Sequence, residues 1–238
     1  VELEKYITSS YEALATYVNA YEQKMIMKRE NIANKGIWTA KKRYILNVWD
    51  SEGVRYEKPK LKIMGIEAVK SSTPAACRTS IRDCLTVIMN EDEESAQEFI
   101  ADFKNHFSSL PIEDISFPRG CNNLNKWSHP ATIYGKGTPI HVRGALLYNF
   151  YNKKNKLTHK YPLIQDGEKI KFVYLKTPNK INENIISFLN TFPKEFGLDK
   201  QVDYDLQFEK SFLEPIKVIM DVIGWQPEKV ASLEFLFS

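Results

Sequence analysis

Lys41-Lys42-Arg43-Tyr44 places three cations and a phenol in four consecutive positions. Ammonium and guanidinium groups donate hydrogen bonds and accept none, so the chemistry open to them is recognition of an anionic ligand. A phosphate backbone is such a ligand. On charge alone, a solvated strand end explains the same residues. A second group, Glu91-Asp92-Glu93-Glu94, has the composition of a metal site. Adjacent carboxylates spread around a helix, however, and a helix start fits the run better. The three cysteines, Cys77, Cys84 and Cys121, form no CxxC pair. They read as reduced, buried thiols of a cytoplasmic protein rather than metal ligands. His141 stands beside Arg143; a lone histidine is read as structural.

The elements that must position these groups follow from periodicity. Residues 2–24 carry Leu3, Tyr6, Ile7, Leu14, Tyr17, Val18, Tyr21 and Met25 at or near helical spacing, a stripe expected to pack in the core. Met25–Ile32 reads as a strand and Asn34-Lys35-Gly36 as a turn. The strand after it begins with the cations and turns apolar. Alternation assigns Lys41, Arg43, Ile45, Asn47 and Trp49 to one face and Lys42, Tyr44, Leu46, Val48 and Asp50 to the other. A turn over Asp50-Ser51-Glu52-Gly53 returns the chain as a strand from Val54 to Met64, where Pro59 favours an edge or a bulge.

Ser71-Ser72-Thr73-Pro74 reads as a helix start, with Ser72 or Thr73 as cap and Pro74 in the first position. That helix should end near Asn90, and a second should follow the acidic run with Phe99, Phe103 and Phe107 on one face. Further on, the sequence predicts a short strand at Glu113–Phe117 and a helix from Pro139 into the lysines 153, 154 and 156. It then predicts a hairpin of Tyr161–Ile164 with Lys169–Leu175, a helical segment at Asn182–Asn190 and a last long helix from Tyr204 to Ile223. The fold class is α+β: an antiparallel sheet with a helix, then a helix-rich remainder with small hairpins. The boundary is expected near Ala68.

With 238 residues and 43% hydrophobic content, the chain can bury a core. Its net charge of +3 is too small to argue for nucleic-acid binding in bulk, so any such binding must come from local patches. No apolar run approaches the roughly 20 residues of a membrane span, and no membrane partner is expected.

Lys41-Lys42-Arg43-Tyr44, then Leu61-Lys62-Ile63-Met64-Gly65-Ile66-Glu67, then Ser71-Ser72-Thr73-Pro74, in that order, resemble the palm-to-thumb region of family B DNA polymerases of the T-even phage type. The end of the chain, Val230-Ala231-Ser232-Leu233-Glu234-Phe235-Leu236-Phe237, resembles the C-terminus of the same enzymes. The resemblance implies palm over residues 1–68, thumb over 69–230 and a sliding-clamp-binding tail over 231–238. It implies that Lys41, Lys42, Arg43 and Tyr44 lie against the minor groove at the primer terminus. Both Watson–Crick pair types offer the same minor-groove acceptors, so donors there accept any correct pair. Lys62 and Arg143 fall in matching segments and are implied contacts to duplex phosphates. Lys70 and the lysines 153, 154 and 156 are further phosphate candidates, the last three by charge alone. Leu233, Phe235, Leu236 and Phe237 are implied to insert into a sliding clamp.

The family's catalytic carboxylates stand in an Asp-Thr-Asp motif and a motif beginning Asp-x-x-Ser-Leu-Tyr, and neither occurs here. The fingers and exonuclease motifs are also absent. The chain is therefore expected to hold no catalytic or metal-binding residue and to be inactive alone. Mg would be bound only in the assembled polymerase. The chain begins Val1-Glu2-Leu3 without an initiator Met. It is expected to be an excised fragment or the C-terminal subunit of a split polymerase, partnered by an N-terminal polymerase portion, primer–template DNA and a clamp. The alternative is a non-catalytic DNA- or clamp-binding module with a polymerase-like thumb.

Overall fold

The computed structural model describes residues 2–229. Three antiparallel strands, β1 (Asn31–Ala40), β2 (Arg43–Ser51) and β3 (Val54–Met64), form the first sheet in sequential order. Their pairing sets Ile37, Ile45 and Ile63 abreast. All three are buried, and this row is the apolar face of the sheet. On β3, the register jumps from Lys60 opposite Val48 to Arg55 opposite Asp50. Pro59 sits in this irregular stretch of an edge strand, where its missing N–H removes no ladder bond. The same shift ends the alternation expected for β2, so that Val48 is buried along with Ile45 and Asn47.

Four local expectations are corrected in this first part. Residues 25–30 form no strand, and β1 runs straight through Asn34-Lys35-Gly36. Gly36 is there for close approach: a Cβ would lie 2.5 Å from the Trp38 ring. Lys41 and Lys42 lie in the β1–β2 turn rather than in the strand. The helix α1 (Glu2–Tyr17) exists, but none of its residues is buried. Its expected core stripe is exposed, with Leu3 at 69% and Tyr17 at 87%.

The chain then makes a short 3-10 turn over Glu67–Val69 and enters α2 (Ala75–Asn90). Pro74 precedes the helix, and neither Ser72 nor Thr73 caps it by a side-chain bond. The following helix α3 (Glu93–Phe107) is capped by Asp92, whose carboxylate accepts from the Ser95 N–H at 2.9 Å. The acidic run is thus a helix start. Phe103 and Phe107 face inward to meet Phe208 and Phe212, with the Phe103 and Phe212 ring centres 4.6 Å apart.

A single turn, α4 (Ile112–Ile115), stands where a strand over Glu113–Phe117 was expected, and the strand β4 (Phe117–Gly120) comes just after it. The turn α5 (Leu124–Trp127) and a small ladder of β5 (Ser128–His129) with β6 (Ile133–Tyr134) lead to α6 (Ile140–Lys154). A second antiparallel sheet has the order β4, β7 (Lys169–Tyr174), β8 (Ile185–Phe188). The segment predicted to pair with β7, Tyr161–Ile164, is not a strand. Asparagines of α6 satisfy its backbone instead: Asn149 bonds both the N–H and the carbonyl of Ile164 at 2.8 Å, and Asn152 donates to the Tyr161 carbonyl at 2.7 Å. β8 replaces the expected helical segment because Ile185, Ile186, Ser187 and Phe188 are all buried, which erases alternation. The last helical stretch, α7 (Tyr204–Phe208), a π-helical turn (Glu209–Leu213) and α8 (Glu214–Val222), closes a core continuous with the isoleucine row. The fold is α+β, and among the described residues no helix is long and apolar enough to cross a membrane.

Candidate nucleic-acid interface

Ala40 pairs with Arg43, so Lys41 and Lys42 are the two residues of a tight hairpin turn. Both are exposed. Lys42 has φ +63°, a left-handed conformation that costs a non-glycine residue on the order of 1 kcal/mol. Gly65 holds the turn from the far side. A Cβ on Gly65 would lie 2.3 Å from the Lys42 carbonyl oxygen, and its own φ is +68°. The glycine of Leu-Lys-Ile-Met-Gly thus lets β3 end directly beneath the two lysines.

Pairing register then sorts the remaining residues. Trp38, Tyr44 and Met64 lie abreast on the outer face of the sheet, and Lys62 lies opposite Leu46 on that same face. Tyr44 is half-buried and Trp38 is 61% exposed. Lys62 is ion-paired with Glu30, and that hydrogen bond, aided by the Glu30 charge, outweighs the opposing effect of burial and raises the lysine's pKa. Arg43 departs from this face. Its Nη2 donates to Glu67 Oε2 at 2.9 Å, and Lys70 Nζ donates to Glu67 Oε1 at 2.7 Å. Burial works to raise the Glu67 carboxyl, but the Lys70 bond and the two neighbouring positive charges outweigh it and hold the group below its ordinary value.

Arg143 lies in the first turn of α6, which Ser187 fastens by donating to the His141 carbonyl at 2.8 Å. Its Nη2 donates to Asn184 Oδ1 at 2.5 Å, and its guanidinium carbon lies 5.7 Å from the Tyr134 ring centre. The Tyr134 hydroxyl in turn donates to Glu183 at 2.5 Å. Nε of Arg143 is buried without a hydrogen-bond partner. Among the described residues Arg143 has no ion pair; its recorded partners are the Asn184 side chain and the Tyr134 ring. Burial, and secondarily Arg119, lowers the pKa of neighbouring His141.

Lys153 and Lys154 stand at the opposite end of α6, about 15 Å along the axis from Arg143, and do not join its site. Leu233, Phe235, Leu236 and Phe237 lie outside the described residues. Sequence reasoning does not mark Asn184, Tyr134 or Glu67 as functional residues. Glu67 closes the Leu61–Glu67 motif, whereas Asn184 lies in the segment expected to be helical. Among the described residues no group of three His, Cys, Asp or Glu could hold a metal ion.

The model for DNA polymerase family B matches residues 3–223. The chain is 33% identical over 248 aligned positions to the DNA-directed DNA polymerase of Enterobacteria phage T4, and 35% identical over the same length to that of Escherichia phage RB69. Each alignment covers 99% of this chain and 27% of the relative, so the chain spans about a quarter of the length of these polymerases. The chain belongs to DNA polymerase family B.

Proposed function

We propose that this chain is the C-terminal palm and thumb portion of a DNA-directed DNA polymerase, with palm over residues 1–68 and thumb over 69–230. It holds primer–template duplex and completes an active site whose catalytic aspartates, with their Mg ions, lie outside it. The observation that carries this reading is the hairpin turn of Lys41 and Lys42. Two exposed ammonium groups, with no ion pair among the described residues, stand at the tip of the β1–β2 ladder, braced by Gly65 and followed by Tyr44. Such donors suit the minor-groove acceptors common to all correct base pairs. Arg143, fixed and unneutralised, supplies a grip on phosphate.

The exposed stripe of α1, with Leu3, Tyr6, Leu14 and Tyr17, supports a partner in the form of the N-terminal polymerase portion. The tail residues Leu233, Phe235, Leu236 and Phe237 are assigned to a sliding clamp by resemblance. Primer extension is the test, first with this chain alone and then with the N-terminal portion added. Activity only in the mixture supports the proposal. No activity in the mixture, with salt-sensitive duplex binding retained, would favour a DNA-binding module without catalysis. Deleting residues 233–238 should abolish clamp-dependent processivity and spare distributive synthesis; loss of both would make the tail structural.

A further inference from the structure

The chain leaves its last helix along a fixed course. α8 closes in a turn at Gly224, whose φ is +76°. The Trp225 N–H donates back to the Met220 carbonyl at 2.9 Å, which completes the helix end. Trp225 itself packs against the core, lining a cleft with Ile37, Ile88, Met89 and Ile223.

The next residue, Gln226, is held on both sides of its backbone by α3. Its N–H donates to Glu93 Oε1 at 2.6 Å, and its carbonyl accepts from Gln97 Nε2 at 2.9 Å. Glu93 and Gln97 stand four residues apart, so they share one face of the helix. Three residues beyond Gln226, Lys229 Nζ donates to Glu94 Oε1 at 2.6 Å. That ion pair is exposed and adds little by itself. Residues 226–229 belong to no helix or strand, and Gln226 is exposed. Water could satisfy an exposed backbone as well as protein does. Two side chains from a helix about 130 residues earlier in the chain therefore rescue no buried polar group here. Their effect is to fix a course.

We propose that Glu93 and Gln97 are positioning residues for the terminal segment: by clipping Gln226 to the start of α3, they set the point from which the clamp-binding tail departs. The inference rests on the clamp reading above. Held only by Trp225, the chain would have to span eight residues to reach Leu233; held as far as Lys229, it spans four. Once a tether is longer than its span requires, effective concentration falls roughly as the −3/2 power of its length. Doubling the tether therefore lowers it about threefold. The clip concentrates the tail at the clamp without touching the clamp itself.

The test has two readouts. Amide hydrogen exchange in the intact chain follows the Gln226 N–H directly. Glu93→Ala should speed its exchange about fivefold, the equivalent of one ordinary hydrogen bond, whereas Glu93→Gln keeps the acceptor and should leave it slow. That pair of variants separates the clip from the carboxylate's charge at the helix start. Alanine suits a helix, so the double variant Glu93→Ala/Gln97→Ala should fold, and Gln97→Ala alone serves if it does not. In the assembled polymerase with a sliding clamp on primer–template, the variant should shorten processive products about threefold and leave clamp-free synthesis unchanged. Fast exchange of Gln226 in the unaltered chain, or undiminished processivity in a folded variant with fast exchange, would overturn the positioning role alone. Processivity that survives deletion of residues 233–238 would overturn the clamp reading and this inference with it.

Discussion

Arg143 donates to the neutral side-chain oxygen of Asn184 at 2.5 Å, and among the described residues it has no ion pair. Lys62 is the opposite case, bonded to the carboxylate of Glu30. Two cations assigned the same phosphate-gripping role therefore differ in available charge. Removing Arg143 (Arg143→Ala) should lower the salt slope of duplex binding by about 0.9, and Arg143→Lys should restore most of it. Lys62→Ala should change the slope less, because Glu30 already compensates its charge. Fluorescence anisotropy over a salt series measures both, and equal effects would refute the distinction.

The turn lysine can be tested without disturbing the fold. Lys42 occupies a left-handed conformation, so Lys42→Gly removes the ammonium while relieving backbone strain. Stability should hold or rise by about 1 kcal/mol in urea unfolding. Extension of a matched primer by the assembled enzyme should slow by roughly tenfold, the equivalent of one lost hydrogen bond of about 1.4 kcal/mol. Unchanged extension would remove Lys42 from the primer-terminus contacts.

Gly65→Ala should do the reverse. A Cβ there meets the Lys42 carbonyl oxygen at 2.3 Å in a backbone conformation with φ +68°. The expected cost is about 1–3 kcal/mol. It should be read as a lowered urea midpoint with the m-value unchanged. Wild-type stability would mean that β3 can end elsewhere.

Acid should weaken the sheet–helix junction through Glu67. Its folded pKa lies below the ordinary 4.5, so its stabilising contribution is complete above that value and is lost as pH falls through the lower folded value. The melting temperature should therefore drop between about pH 5 and about pH 3, and Glu67→Gln should flatten part of that drop. An identical profile in the variant would place the acid sensitivity in other carboxylates.

The cysteines should be inert until the chain unfolds. Burial is the main cause that pushes Cys77 up to about 11, Cys84 to about 12 and Cys121 to about 11, and all three are free and buried. A thiol reagent at neutral pH should label none rapidly in the native protein and all three in denaturant. Fast native labelling of any one would show that its pocket opens.

The sequence by itself determined the long helices and the order of motifs. The periodicity of α2, its end at Asn90, the helix start at the acidic run and the last helical stretch are local properties, set by 3.6-residue repeats and caps. The type and order of the four motif residues were legible for the same reason. Tertiary structure alone decided which of those residues act together. Strand register sent Tyr44 and Lys62 to the outer face, and Arg43 to Glu67. Whether a cation is free depends on a carboxylate distant in sequence, as Glu30 is from Lys62 and Glu67 from Arg43. The same holds for the segments read wrongly. Tyr161–Ile164 has strand-like composition, but its backbone partners are side chains of α6, and β8 shows no alternation because both its faces are covered. The stripe of α1 shows the limit most plainly: spacing specifies an apolar face, and only the packed fold reveals that nothing among the described residues buries it.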